Sequence, residues 1–471
     1  MCEHRCVSRT LEGRPDVGAG PAPVLVGDRL PVPVLPEGTV PYLDLDRAAT
    51  TPALAGVVAA LDALVPRYGS PARGAGYKSL VTTRSYEAAR GWVKAFVGAR
   101  PDDVAVFVRN TTEATNLLAS ILPEDAVVVT LDIEHHADLL PWRTREVHHV
   151  RVPSDPAALL DAVDAGLAAV GRPTLLAVTG ASNVTGECLP IRDLAALAHR
   201  HGARIVVDAA QLAPHAPIDI AADDIDYVAL SGHKLYAPFG AGALVGRPDW
   251  MRSGEPLVKG GGAVRFVTLD EVAWLEPPER LEAGTPNVAG AVALGAACRE
   301  LLGLDMHRVL AHDLAISRAA RERLAKVPGL RILHVFDGEV QRLATVTFRL
   351  GDLPHGLVAA YLGAEHGIGV RSGCFCAHPL LLRLLEVDPV QAEAWHAAMR
   401  RGEDVELPGA TRASFGLGAT QDDVERLAVA LERLVADGPR WTYRPDGHSG
   451  GWLPDPDPRG ADAVLPPPPH R

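Results

Sequence analysis

RIVVDAAQ, residues 204–211, is a short β-branched apolar run that ends on a carboxylate. Such a run fits a strand covered on both faces, and its C-terminal end is where open α/β sheets gather ligands. The theme recurs in VAVFV (104–108), AVVVTL (126–131), TLLAVTGAS (174–182) and DYVALSG (226–232). Helical segments lie between. PIRDLAALAHRHG (190–202) has Pro190 near its start and Gly202 past its end, and NTTEATNLLASIL (110–122) offers Asn110 as a cap with Glu113 three residues on. This alternation predicts an α/β fold on a mostly parallel sheet covered on both faces. From about residue 296 helices and short strands predict a second domain. It ends in DDVERLAVALERLV (422–435), with Val424, Leu427, Leu431 and Leu434 on one face.

The expected organisation is an N-terminal arm (1–40), a large domain (41–295), a small domain (296–437) and a tail (438–471). The tail is dense in Pro, Gly and Asp and is expected to be disordered, with Trp441 and Trp452 available to dock.

The 471 residues are 47% hydrophobic and 22% charged, with a formal net charge of -12. No basic stripe suggests a nucleic-acid partner. The start, MCEHRCVSRT, lacks the basic and apolar regions of a signal peptide, and AGVVAALDALV (55–65) is broken by Asp62, so no membrane span is expected. Six cysteines in a chain of this length make no disulfide framework, and a reducing cytoplasm is the expected compartment. Cys2, His4 and Cys6 read as a solvated terminus rather than a metal site.

Lys234 follows the strand DYVALS directly, in SGHKLYAPFGAGAL (231–244). Taken singly, Asp208 reads as a turn residue, Lys234 as a solvated charge and Thr111-Thr112 as a helix cap. Together they have one economical explanation. The lysine forms a Schiff base with pyridoxal phosphate, the aspartate keeps the pyridine nitrogen protonated, and the helix start seats the phosphate.

The chain resembles the class V aminotransferase superfamily of pyridoxal-phosphate enzymes, and within it the cysteine desulfurase and selenocysteine lyase branch. The resemblance is carried by YLDLDRAAT (42–50), VRNTTEATN (108–116), IEHHADLLPW (133–142), GASNVTGE (180–187), VDAAQ (207–211), SGHKLYAPFGAG (231–242), EAGTPN (282–287), RSGCFCAHP (371–379) and RASF (412–415). It implies fold type I, with a mostly parallel sheet of the seven-stranded kind and a smaller α+β C-terminal domain. It implies Lys234 as the Schiff-base lysine, Asp208 as the pyridine partner and Gln211 on the ring hydroxyl. His135 would stack on the ring, and Thr111, Thr112, Ser231 and His233 would hold the phosphate. Thr285 would reach the phosphate of a neighbouring subunit, which implies a homodimer. Asn183, Arg371 and Arg412 form the implied substrate-binding set.

In RSGCFCAHP the resemblance places a nucleophile on a mobile loop and matches it to Cys376, with Cys374 secondary. A metal held by Cys374, Cys376 and His378, a disulfide between the cysteines, and two small buried side chains are the competing readings; no metal is expected. The implied activity converts L-cysteine to L-alanine, with Lys234 as base and His135 moving protons near the leaving sulfur. Cys376 would carry a persulfide for a sulfur-acceptor protein. The alternative is a carbon–sulfur β-lyase, or another class V enzyme acting on a cysteine conjugate. Two departures stand out: the insertion LLLRLLEVDPVQAEAWHAAMRRGEDVELPGA (380–410), and GLGAT after RASF where the family has Tyr-Asn-Thr.

Overall fold

Seven strands form the central sheet: β1 (Val104–Val108), β2 (Val127–Leu131), β3 (Glu146–Val150), β4 (Leu175–Thr179), β5 (Arg204–Asp208), β6 (Tyr227–Ser231) and β7 (Gly242–Gly246). The structure, a computed structural model, describes residues 23–71, 74–172, 174–403, 405, 407–447, 450–460 and 464. Cys2, His4 and Cys6 lie outside the described residues. Across the sheet the order is β1-β7-β6-β5-β4-β2-β3. β7 is antiparallel to both neighbours, and every other pair is parallel.

Continuous apolar runs in the sequence mark five of these strands and pass over β3 and β7. β3, EVHHV, is an edge strand that keeps most of its residues partly exposed, so it carries no apolar run. β7, GALVG, is bracketed by glycines that look like turn residues. They are there for space: a Cβ on Gly242 would lie 2.4 Å from the Leu230 carbonyl oxygen and 2.8 Å from the Asn110 Cα.

Alternate strand residues face two cores, as the period of two requires. Val129, Leu131, Leu176, Val178, Ile205 and Val207 pack on one side with helices Tyr77–Phe96, Ile191–Arg200 and Val288–Gly303. Val128, Leu175, Ala177, Val206 and Ala229 pack on the other with helix Thr111–Ile121 and Trp142. The Asn110 side chain caps that helix, accepting from the Glu113 N–H at 3.1 Å.

A four-stranded antiparallel sheet follows, in the order Leu330–Ile332, Thr345–Leu350, Ala410–Ser414, Arg371–Gly373. Helix Gln421–Asp437 covers it, burying Val424, Leu427, Leu431 and Leu434 behind a Thr420–Asp423 capping box. Leu43 and Leu45, near the N-terminus, pack into this second core. The insertion forms helices His378–Leu384 and Pro389–Arg400; the first buries Leu380 and Leu381 in the main core, and the second has no fully buried residue.

The expectation of a disordered tail is corrected for its first part. Tyr443–Pro445 and Trp452–Pro454 form a hairpin. Glu365, fully buried, accepts from the backbone N–H groups of Arg440 and Trp441, from Arg440 Nε and from Tyr443 Oη at 3.0–3.1 Å. Composition does not register this, because one buried carboxylate orders the segment from another element. Glu365→Ala is expected to cost about 2–4 kcal/mol of stability and to open residues 438–447 to protease. Urea denaturation and limited proteolysis check this, and an unchanged midpoint would show that the clamp contributes nothing.

Candidate active site

Asp208 ends β5, and Lys234 sits in the turn Gly232–Lys234 that follows the neighbouring strand β6. The parallel sheet therefore brings both to one edge. The Asp208 carboxylate accepts from the Ala210 N–H at 2.8 Å. Burial pushes its pKa up, against the pull of Lys234. Burial drops Lys234 to about 8, while Asp208 opposes the fall. The two charges attract, yet no ion pair among the described residues closes between them. The region at that edge, between the two strand ends, is the candidate site.

Around that region lie most of the residues singled out in the sequence. Ser231 Oγ accepts from the Thr111 N–H and donates to Thr111 Oγ1, both at 2.9 Å, tying the end of β6 to the helix start. Thr112, beside it, is exposed on the first helical turn. Gln211 Nε2 donates to the Ala48 carbonyl at 2.8 Å, and the His233 carbonyl accepts from Thr51 N and Oγ1. These bonds lock the N-terminal segment against the sheet edge. His135 Nδ1 accepts from the Ala137 N–H at 3.0 Å, which leaves the imidazole proton on Nε2. Burial first, then Lys234, lowers its pKa to about 3, so the ring is neutral.

Arg412 is buried on the four-stranded sheet. Its Nη1 donates to the Asn183 carbonyl at 2.9 Å, its Nη2 meets Asp46 Oδ1 at 3.3 Å, and its Nε has no hydrogen-bond partner among the described residues. Burial lowers its pKa to about 10. Arg371 also turns to Asp46, at 2.8 Å, and is half-exposed.

The cysteine loop is anchored, where a mobile one is expected. Asn183 Nδ2 donates to the Phe375 carbonyl at 2.7 Å, and the His136 N–H donates to the Cys376 carbonyl at 2.8 Å. Phe375 and Cys376 both have φ of +54°, a strained conformation for residues other than glycine. Phe375 lies under the Arg412 guanidinium, 5.0 Å from ring centroid to Cζ. The two cysteines are both free thiols and differ sharply. Cys374 points Sγ at the Pro408 carbonyl, and burial raises its pKa to about 11. Cys376 is exposed, and its charge bears on both Lys234 and Arg412. Among the described residues no three His, Cys, Asp or Glu side chains converge to hold a metal, and no helix is long and apolar enough to cross a membrane.

Thr285 stands apart. It is exposed on a loop held by Glu282, which accepts from Arg90, Tyr86 Oη and the Phe107 N–H, and no hydrogen bond among the described residues ties it to Lys234. Residues overlooked in the sequence also belong here: Asp46, the stacked pair His136–His378 at 4.9 Å, and the buried Glu134 and Asp138. All lie in motifs already picked out, where His378 was weighed only as a metal ligand; burial and contacts between distant elements are what mark them.

Asp208 and Lys234 at adjacent strand ends, with a helix start beside them, define a fold type I site. The family model for aminotransferase class-V matches residues 43–427, and the chain belongs to that family. It is 33% identical over 406 residues to a probable cysteine desulfurase of Halalkalibacterium halodurans, covering 83% of this chain and 93% of the relative. It is 34% identical over 404 residues to a cysteine desulfurase of Dickeya dadantii, covering 83% and 91%. The crystal structure of the Escherichia coli cysteine desulfurase CsdA, in an S-sulfonic acid form, superposes with a TM-score of 0.70 at 31% identity, covering 84% of this chain and 95% of that one. An apo cysteine desulfurase from Thermococcus onnurineus gives 0.73 at 29% identity, covering 84% and 95%.

Lys234 is expected to be acylated by amine-directed reagents in the cofactor-free protein with a midpoint near pH 8 rather than the ordinary 10.5. Asp208→Asn removes the opposing charge and should move the midpoint lower. Peptide mass spectrometry across pH reads both, and an ordinary lysine profile would contradict the enclosed site.

Proposed function

We propose that the protein is a pyridoxal-phosphate-dependent cysteine desulfurase that moves sulfur from L-cysteine to Cys376 and leaves L-alanine. One observation carries this: an exposed thiol on an anchored loop bears on both half-buried Lys234 and buried Arg412, whose Nε has no hydrogen-bond partner among the described residues. The names of the relatives agree.

The residues fit the cofactor, because buried Asp208 and half-buried Lys234 stand at one sheet edge without pairing to each other among the described residues, beside the helix start tied to Ser231. Lys234 would bind its aldehyde, Asp208 its ring nitrogen and Gln211 its ring hydroxyl. His135 would cover the ring face, and Thr111, Thr112, Ser231 and His233 would hold the phosphate. When bound, the cofactor supplies an electron sink for the substrate α-carbon.

The chain's own groups supply the rest. Arg412 Nε and Nη2 form one fork, free at Nε and held only by a 3.3 Å contact at Nη2. A substrate carboxylate takes that fork bidentately, displacing Asp46. The side-chain amide of Asn183 is committed to the cysteine loop, so its part is to position Phe375 and Cys376, with Arg371 neutralising Asp46. Lys234, with its pKa near 8, has more free amine at neutral pH than an ordinary lysine and takes the α-proton. The Cys376 thiolate attacks the substrate sulfur. The new S–S bond forms as the Cβ–S bond breaks, and its electron pair passes to the carbon skeleton, which is protonated to alanine. His135 moves a proton through Nε2. The persulfide on exposed Cys376 is open to an acceptor protein.

Exposed Thr285, on its clamped loop, supports a homodimer in which it reaches the partner's phosphate site. The cytoplasm fits the free thiols.

Purified protein given L-cysteine and a reductant is expected to release alanine and sulfide. Cys376→Ala should lose roughly 10²–10⁴-fold in rate, and Arg412→Lys should raise KM about 10–100-fold. Pyruvate and ammonia, formed equally by the Cys376 variant, would overturn the proposal in favour of a β-lyase. Because His135 is neutral with its pKa near 3, kcat should show no inflection from this ring around pH 6.5; an inflection that His135→Gln abolishes would contradict its assignment.

A further inference from the structure

Two carboxylates lie buried beside the central sheet with no ion-pair partner among the described residues. Glu134 follows β2, Asp138 lies four residues on in the short helix His136–Leu139, and their relative exposures are 1% and 0%. Among the described residues none of the four side-chain oxygens has a donor at full hydrogen-bond geometry. The Trp142 Nε1–H donates to the backbone carbonyl of Asp138 at 2.8 Å, and the same indole N–H bears on the Asp138 carboxyl, easing but not cancelling the cost of its burial. The Thr179 amide approaches Glu134 without closing a hydrogen bond.

The charged groups that bear on the pair are acidic; the Thr179 amide and the Trp142 indole N–H are its neutral neighbours. Glu134 and Asp138 come within hydrogen-bonding reach of each other, and both feel Asp208. The sheet explains this. β2, β4 and β5 are consecutive neighbours, and Thr179 at the end of β4 pairs with Asp208 at the end of β5. Residues just past β2 therefore come within about two strand spacings, roughly 10 Å, of Asp208. The cations of the site lie beyond: Lys234 bears on Asp208, and Arg412 on His135. Neither Glu134 nor Asp138 makes an ion pair among the described residues.

Two such carboxylates cannot both stay ionised, because each ion loses its hydration and repels the other. Burial and this repulsion hold both well above the usual carboxylate range. A proton placed between them satisfies one oxygen of each and leaves one negative charge.

We propose that Glu134 and Asp138 share a single proton and present one net negative charge beside Asp208. They act as positioning residues that raise the proton affinity of whatever Asp208 holds. On the cofactor assignment above, on which the second half of this proposal rests, that proton is the one on the ring nitrogen. The pair does not touch substrate; it acts through Asp208.

Infrared spectra of the full-length holoenzyme at pH 8, in H2O and D2O, read the shared proton. The wild type should show a buried carboxylic-acid band. Asp138→Asn should abolish it, because the new amide donates to the Glu134 carboxylate in place of the shared proton, and Glu134→Gln should do the same. A band absent from the wild type, or kept in either variant, overturns the shared proton. The second readout is the pH midpoint of the bound cofactor's absorbance. The single variants keep one negative charge and should leave it in place. Glu134→Gln with Asp138→Asn removes that charge, disfavours the protonated cofactor and should lower the midpoint by about one unit. An unmoved midpoint overturns the role through Asp208. A double variant that fails to hold cofactor leaves the infrared result on the single variants to decide the shared proton. Alanine release from L-cysteine, measured separately on the wild type, tests the desulfurase proposal independently of either readout.

Discussion

Two opposite charges at neighbouring strand ends, one buried and one half-buried, stand without pairing to each other among the described residues and organise this molecule's chemistry. Asp208 and Lys234 would gain most by closing on each other in a low-dielectric interior. The sheet prevents it. Asp208 is fixed at the end of β5 by the Ala210 amide, and Lys234 is held in a tight turn after β6. The buried attraction is left for something that fits between. Burial lowers the Lys234 pKa to about 8 while Asp208 opposes the fall, and the donors of Thr111 and Ser231 gather at the same edge.

The four-stranded sheet completes the site through one arginine and one strained loop. Arg412 is set by its strand, by the Asn183 carbonyl and by the Phe375 ring beneath it. The loop accepts two residues at positive φ because Asn183 and His136 hold the Phe375 and Cys376 carbonyls. The same residue, Asn183, thus couples arginine through its backbone carbonyl and the cysteine loop through its side-chain amide. The strain has a use: it turns Cys376 outward while Cys374, two residues away, stays enclosed and protonated.

Much of this was legible in the sequence. Five strands, the capped helix at Asn110 and the last helix follow from apolar periodicity and capping residues. Lys234 and Asp208 stood out as strand-end charges. β7 was hidden because its glycines answer to close approach rather than to a turn. The tail was misread because its order comes from Glu365, far away in the chain. Glu134 and Asp138 look like solvated charges in IEHHADLLPW, and nothing local says otherwise.

The sequence by itself determined the periodicities, the caps and the order of the motifs, since these depend on neighbours within a few residues. Which charges are buried, and with what company, was decided only by the tertiary structure. The choice between Cys374 and Cys376, the open Nε of Arg412 and the unpaired Glu134 and Asp138 all depend on dehydration and on contacts between elements far apart in the chain. Desolvation is a property of the packed interior, so no local pattern of residues can carry it.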